Sequence, residues 1–188
     1  MPKIMTAQKL VNLYTELQSI GVNPILDGGW GVDALLGEET RPHKDADLII
    51  TKEDLAKVKD YLTSRGYKDR TEGEIWWHFF MDSSDDEIDF LVVDPQKSGG
   101  AYLGPRENDL FFPEEAFQGK GHVSGKEVAC LSAPYRVRAL TKEFGVVIKN
   151  NYQITEHDCR DMIALCKRFN IGIPSDYTDF MDSRGLAY

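Results

Sequence analysis

A glycine-rich turn followed by two closely spaced acids is the feature that most constrains the fold of this chain. The turn, Asp27 to Asp33, reads Asp-Gly-Gly-Trp-Gly-Val-Asp, and Asp45 and Asp47 begin an apolar run that ends at Ile50. Residues two apart in a β-strand lie on one face, so the two carboxylates are expected about 7 Å apart along the same side. The pattern predicts a short strand, a tight turn, a brief helix and then a strand with an acidic face.

The elements around this feature are predicted from hydrophobic spacing and from helix-capping residues. Leu10, Leu17 and Ile20 recur at helical intervals, with Thr6 placed to cap the helix and Gly21 placed to end it. The next elements are a strand over 23–26, a helix over 30–36 ended by Gly37, a strand over 46–50, a helix with a capping box at 51–54 that ends at Gly66, and a hairpin of strands 75–80 and 87–93. Trp76 and Trp77 are expected on opposite faces of their strand.

The composition changes after Asp94-Pro95, where glycine and proline become frequent through Gly104-Pro105. We therefore expect a core over residues 1–95 and a smaller C-terminal subdomain over 96–188. The elements expected beyond the boundary are a hairpin over 122–128, a helix from Pro134 to Phe144, and a last helix that reaches Gly172 and is capped by Thr155, with Asp158 three residues on. The whole is an α+β fold with a mixed sheet and a small C-terminal α/β extension.

Composition and charge narrow the classes of function. The net charge is −9, from 22 basic and 31 acidic residues, which disfavours a large nucleic-acid footprint. The excess of acidic residues suits a cationic small substrate, and the alternative is that it only keeps the protein soluble. No run of eighteen apolar residues and no signal peptide is recognisable, and the three cysteines lack CxxC spacing. These features predict a cytoplasmic protein with reduced cysteines and no membrane association.

Three carboxylates are the candidate catalytic and metal-binding groups. Asp45 and Asp47 would repel each other unless a cation such as Mg²⁺ lay between them, and the alternative is a solvated edge strand. Asp89 lies in the apolar run from Ile88 to Val93, where a buried acid requires a partner or a metal, although the wet face of an alternating strand is the alternative. If the two strands are adjacent, the three acids converge.

The groups that precede these acids are candidates for phosphate binding. A glycine pair at 28–29 that opens a helix can present backbone amides to phosphates. Such a pair more often forms an ordinary turn with no ligand. Neither GxxxxGK[ST] nor GxGxxG is present. Arg41, His43 and Lys44 could neutralise a triphosphate, and the alternative is that they are solvated loop residues.

The pattern of Gly28-Gly29-Trp30, Asp45-x-Asp47 and Asp89 resembles the DNA polymerase beta-like nucleotidyltransferase superfamily. Residues 26–37 and 40–48 look more narrowly like the small antibiotic nucleotidyltransferases that modify lincosamides or aminoglycosides, and weaker likeness extends to about residue 175. The resemblance implies that Asp45 and Asp47 hold Mg²⁺, two ions being expected, and that Asp89 completes the site as a metal ligand or a base. It also implies that Gly28, Gly29 and Arg41 bind a nucleoside triphosphate such as ATP, with Trp30 and His43 in the same nucleotide site.

The activity implied by the resemblance is transfer of a nucleoside monophosphate, AMP from ATP, to a hydroxyl of a small antibiotic, with release of pyrophosphate and resistance as the consequence. Two alternatives remain open from the sequence. One is a nucleotidyltransferase of the toxin-system type that acts on a protein or an RNA, and the other is a silent nucleotide-binding module. The sequence also leaves open whether the chain is a monomer or a homodimer.

Overall fold

A computed structural model of the chain describes residues 4–72, 76–104, 110–142 and 152–188. Ile75, Pro105 and Phe144, which lie in segments discussed above, are outside these ranges. The helices in the described part are α1 (Ala7–Ser19), α2 (Gly28–Leu36), α3 (Leu55–Ser64), α4 (Ala133–Ala139), α5 (Glu156–Phe169) and α6 (Ser175–Arg184), with a 3₁₀ turn at Glu114–Phe117. The strands are β1 (Ile25–Leu26), β2 (Asp45–Thr51), β3 (Lys68–Asp69), β4 (Trp77–Met81), β5 (Glu87–Pro95), β6 (Ala101–Leu103), β7 (Phe111–Phe112), β8 (Gly119–Val123) and β9 (Lys126–Cys130).

All nine strands join one sheet in the order β3-β4-β5-β2-β1-β9-β8, with β6 paired to β5 and β7 paired to β6. The β2–β5 and β1–β9 pairs are parallel and the others are antiparallel, which confirms the predicted mixed sheet and α+β class. Strands from both sides of the expected boundary at 95/96 therefore belong to the same sheet.

The strand period separates the two faces of the sheet. Even-numbered apolar residues of β2 and β5, such as Leu48 and Phe90, are buried in a cluster with apolar residues of α1 and α3. Odd-numbered residues farther along the same strands, such as Ile49 and Leu91, join a second cluster beneath β6, β7 and the 3₁₀ turn. A third cluster joins α2, α4, α5 and α6. The acids at the start of β2 and β5 share the odd-numbered face.

Helix ends follow the predicted capping residues at most positions. Thr6 accepts a hydrogen bond from the backbone of Lys9, and Thr155 and Asp158 form a reciprocal capping box at the start of α5. Gly37 ends α2 with a φ of 80°, in the left-handed region that favours glycine. All three cysteines are buried and free, as predicted.

Three local predictions are wrong. The residue before α3 is Asp54, to which the hydroxyl of Thr51, the last residue of β2, donates a hydrogen bond; residues 52–54 therefore form a turn and not a capping box. Helix α5 is not the last helix, because α6 follows it. The sequence of α6 is largely polar, and the helix buries only Tyr177 and Met181. Trp76 precedes β4, so the strand period does not apply to it, and its ring stacks on Trp77 with centroids 6.3 Å apart. No helix in the described part of the chain is long and apolar enough to cross a membrane.

Candidate active site

The parallel pairing of β2 and β5 places four carboxylates on one face of the sheet. Asp47 lies opposite Asp89, and Asp45 lies opposite Glu87. Because the side-chain period of a strand is two, all four residues share that face, and each strand supplies its acids at its N-terminal end. The structure thus brings together the three acids singled out in the sequence and adds Glu87. The spacing of Glu87 and Asp89, two apart on β5, is the same signal that identified Asp45 and Asp47.

Asp89 is buried, with 5% of its surface exposed, so it does not lie on a wet face of the strand. Within the described residues its Oδ1 atom has no hydrogen-bond partner. Burial, followed by the charges of Asp47, Glu87 and Asp45, raises the pKa of Asp89 to about 8, and Lys44 opposes the increase. A buried acid without a partner next to other acids is an environment that a bound cation would stabilise.

The donor atoms at this face are suited to a hard divalent metal. Carboxyl oxygens of Asp45, Glu87 and Asp89 lie within 4.8 Å of one another. Oxygen ligands at such spacing match the coordination of Mg²⁺ or Mn²⁺. The Lys44 ammonium lies 2.8 Å from Asp45, but its side chain is 75% exposed, so solvent weakens this ion pair. The hydrogen bond to Asp45 raises the pKa of Lys44.

The glycine pair permits the strand and the loop to approach the start of α2. Gly28 has a φ of 59°, and an added Cβ would overlap the Asp47 carboxylate. An added Cβ on Gly29 would lie 2.5 Å from Nδ1 of His43 and 2.6 Å from a guanidinium nitrogen of Arg41. The pair therefore brings the backbone at the N-terminus of α2 close to an acid on one side and to a cation on the other. A helix N-terminus with free backbone amides is suited to bind phosphate.

The steric role of Gly29 leads to a stability prediction. Gly29→Ala should lower the free energy of unfolding by ~1–3 kcal/mol, because an overpacked site must shift its neighbours. Gly172→Ala is the matched control, since an added Cβ there meets nothing within 4 Å and the backbone is not in the left-handed region. Urea unfolding of both variants measures the difference. Equal stabilities would contradict the close approach of Arg41 and His43 to this turn.

His43 and Trp30 lie behind the glycine turn and are not open to solvent. Their exposed fractions are 3% and 2%, and their rings lie 4.4 Å apart. Nε2 of His43 lies 2.6 Å from Asp33, which also accepts a hydrogen bond from Thr40, and Nδ1 lies 3.1 Å from Arg41. Because arginine only donates, Nδ1 accepts and Nε2 carries the proton that Asp33 accepts. His43 thus fixes the position of Arg41.

Two arginines connect the site to the C-terminal helices. Arg41, which is partly exposed, donates to Asp161 of α5 at 3.2 Å, and burial raises the pKa of Asp161 while Arg41 opposes the increase. Arg136 of α4 is buried and forms an ion pair with Asp27, whose backbone amide donates to the Asp47 carbonyl. Sequence reasoning did not identify Asp27, Asp33, Arg136 or Asp161 as part of the site. Each of their ion pairs and hydrogen bonds joins separate elements, so no local pattern reveals the partner.

Comparison with solved structures identifies the fold. A lincomycin-bound lincosamide antibiotic adenylyltransferase, LnuA, superposes with a TM-score of 0.71 at 22% identity, covering 87% of this chain and 98% of that one. ANT(2'')-Ia in complex with adenylyl-2''-tobramycin superposes with a TM-score of 0.66 at 16% identity, covering 96% and 98%. The fold is that of the nucleotidyltransferases, as the sequence resemblance implied.

Sequence comparison identifies the family. A lincosamide resistance protein of Staphylococcus haemolyticus is 25% identical over 162 residues, which is 84% of this chain and 92% of that protein. The model of the aminoglycoside-2''-adenylyltransferase family matches residues 9–165. The chain belongs to this family of antibiotic nucleotidyltransferases and is an enzyme of the adenylyltransferase class.

Proposed function

We propose that this enzyme transfers AMP from ATP to a hydroxyl of a small antibiotic, a lincosamide or an aminoglycoside, and releases pyrophosphate. The observation that carries the proposal is the set of carboxylates that β2 and β5 place on one face, with buried Asp89 lacking a hydrogen-bond partner within the described residues. The family match and the likeness to two antibiotic adenylyltransferases support the same reaction class. Resistance would follow, because a bulky anionic nucleotide on the drug should obstruct its binding to the target.

Asp45, Asp47 and Asp89 are the residues proposed to hold Mg²⁺, with two ions expected. The donor set fits, because hard carboxylate oxygens are the ligands that Mg²⁺ prefers. When bound, such ions supply positive charge to the attacking and leaving oxygens of a phosphoryl transfer. The residues themselves contribute position, since both strands fix their acids within a rigid sheet.

Asp89 is also the proposed general base. In the reaction the acceptor hydroxyl oxygen bonds to the α-phosphorus, the bond from that phosphorus to the bridging oxygen breaks, and pyrophosphate leaves with the electron pair. The hydroxyl proton passes to the Asp89 carboxylate, which the positive charge of the bound ions would keep ionised. Its place directly opposite Asp47 in the β2–β5 pair, on the shared acidic face, supports this role.

The nucleotide phosphates are proposed to bind at the start of α2. Gly28 and Gly29 would present backbone amides, and Arg41, whose side chain is 31% exposed, would supply positive charge. The buried rings of Trp30 and His43 would act from behind the turn by holding Arg41 and the glycine pair in position.

The aromatic side chains of Phe79 and Trp77, beside Asp89, are proposed to contact the acceptor. Phe79 lies directly opposite Asp89 in the β4–β5 pair, and its ring is 5.0 Å from that of Trp77. Directly opposed residues share a face of the sheet, so these partly exposed rings adjoin the acids. Aromatic and acidic surface together suit a small cationic molecule with apolar faces, in agreement with the net charge of −9.

Asp89→Asn should separate chemistry from nucleotide binding. We expect the single-turnover transfer rate to fall by about 100-fold or more, because the base is lost, while ATP affinity changes by less than about threefold. Asp60→Asn, an exposed change on α3, is the matched control. An unchanged rate in Asp89→Asn would remove Asp89 from the chemistry.

A pyrophosphate-release screen tests the proposed function. Lincosamides and aminoglycosides are incubated separately with the enzyme, Mg²⁺ and each nucleoside triphosphate, with reactions lacking the drug as the background. We expect release that depends on one drug class and is greatest with ATP. Release with no drug class, together with nucleotide transfer to a protein in a lysate, would replace the proposal by the protein-modifying alternative.

A further inference from the structure

Helix α5 reaches the start of α2 through one buried carboxylate. Asp161 is 7% exposed, and its Oδ2 accepts a hydrogen bond from Nη2 of Arg41 at 3.2 Å. The same guanidinium nitrogen lies against Gly29, the second residue of α2, since a Cβ added to that glycine would be 2.6 Å from it. Asp161 therefore holds Arg41 at the start of α2 from a position 120 residues away in the sequence.

The guanidinium of Arg41 has two anchors in the described residues. Nη1 donates to Nδ1 of His43 at 3.1 Å, Nη2 donates to Asp161, and the buried Nε has no hydrogen-bond partner in this part of the chain. Each terminal nitrogen carries two hydrogens and uses one, so each retains one N–H for a ligand. Because the side chain of Arg41 is 31% exposed, a ligand can approach it from solvent.

Packing of α5 does not account for an acid at position 161. Buried neighbours on the same helix, such as Met162 and Leu165, pack in the apolar cluster that joins α2, α4, α5 and α6. A buried carboxylate is costly unless it is paired, and the hydrogen bond that Asp161 makes within the described residues joins it to Arg41. Burial raises the pKa of Asp161, and the charges of Arg41 and Arg136 oppose the increase. These arginines thus stabilise a charged residue at this position.

We propose that Asp161 is a positioning residue for nucleotide binding: it anchors Arg41 at the start of α2, so that the C-terminal helix α5 contributes to the affinity for ATP. The inference rests on the proposed function, in which Arg41 binds the nucleotide phosphates. An arginine held at both terminal nitrogens is ordered before ATP arrives, so less conformational entropy is lost on binding. Asp161 acts through Arg41 and makes no contact of its own with the nucleotide.

Isothermal titration of the full chain with ATP and Mg²⁺, in the absence of any drug, tests this role. Asp161→Leu removes the acceptor but keeps a branched side chain of similar shape. It should weaken ATP binding by about tenfold, because the nucleotide must then order Arg41 itself. Asp161→Asn, which keeps one acceptor oxygen, should cause a smaller loss. Unchanged or tighter binding of ATP in Asp161→Leu would overturn the inference.

Asp179→Asn is the control for the loss of one acidic charge. Asp179 is exposed on α6, and its replacement should leave the affinity for ATP equal to that of the wild type. A loss in Asp179→Asn as large as that in Asp161→Leu would show that net charge, and not the anchor on Arg41, sets the affinity. That result would also overturn the inference.

A double-mutant cycle with Arg41→Met separates positioning from a general effect on the fold. If Asp161 acts through Arg41, Asp161→Leu should weaken ATP binding in the wild-type background and have no further effect in the Arg41→Met background. Equal losses in the two backgrounds would show that Asp161 affects ATP binding by another route. Asp161→Asn gives the same cycle if the leucine variant does not fold.

The outcomes separate this inference from the proposed function. Weaker ATP binding in Arg41→Met but not in Asp161→Leu overturns this inference alone. The expected ATP affinities without AMP transfer to any lincosamide or aminoglycoside overturn the proposed function alone. Unchanged ATP affinity in Arg41→Met overturns both the phosphate site at Arg41 and the role of Asp161.

Discussion

Asp45→Asn and Asp47→Asn should each reduce AMP transfer by about 100-fold or more while the enzyme remains folded. Asparagine retains the shape of the side chain but removes the negative charge that metal binding requires. The fold should survive, because each change relieves repulsion within the group of acids that raises the pKa of Asp89. Transfer rates with Mg²⁺ as the metal and thermal unfolding temperatures are the measurements.

Asp60→Asn again provides the control, since it removes one aspartate charge from an exposed position of α3. Its transfer rate should equal that of the wild type. Near wild-type transfer in either Asp45→Asn or Asp47→Asn would contradict the proposed metal-dependent chemistry, and a large loss of stability would contradict the electrostatic account of the acidic face.

Arg136→Met should cause a large loss of stability, ~3–5 kcal/mol, because it leaves Asp27 buried without its ion-pair partner. Both side chains of this pair are about nine-tenths buried, and Arg136 also lies in the field of Asp47 and Asp161. Asp27→Asn should cost less, since Arg136 then retains those two acids. Urea unfolding of the two variants therefore tests both the size of each loss in the free energy of unfolding and the order of the two losses.

Arg138→Met is the matched control for this prediction. Arg138 is exposed on the same helix, α4, and a surface change of this kind should alter stability by no more than ~0.5 kcal/mol. If Arg136→Met were as stable as Arg138→Met, the buried ion pair would have no structural role. A greater loss of stability in Asp27→Asn than in Arg136→Met would show that Arg136 does not balance Asp47 and Asp161 in addition to Asp27.

Much of the sheet around the site could be predicted from local patterns. The alternation of residues along β2 and β5 correctly places Asp45, Asp47 and Asp89 on one face, because the period of a strand is fixed by its backbone geometry. Capping residues such as Thr6 and Thr155 correctly locate helix starts, since each side chain satisfies a nearby backbone group.

The rest of the site depends on contacts between residues far apart in sequence. Asp27 and Arg136 are 109 positions apart, and Arg41 and Asp161 are 120 apart, so their pairing requires the assembled fold. Arg136 does lie at helical spacing from buried Ala133 and Leu140, which indicates a buried cation but not its partner. Helix α6 was missed because its sequence lacks a continuous apolar face.

The position of the phosphate that reaches the drug tests the central claim most directly. The enzyme is incubated with Mg²⁺ and an antibiotic in two reactions, one with ATP labelled at the α-phosphate and one with ATP labelled at the γ-phosphate. The proposed adenylyl transfer predicts that the drug acquires the α label and that the γ label leaves in pyrophosphate. Acquisition of the γ label by the drug, or of neither label by any lincosamide or aminoglycoside, would contradict it.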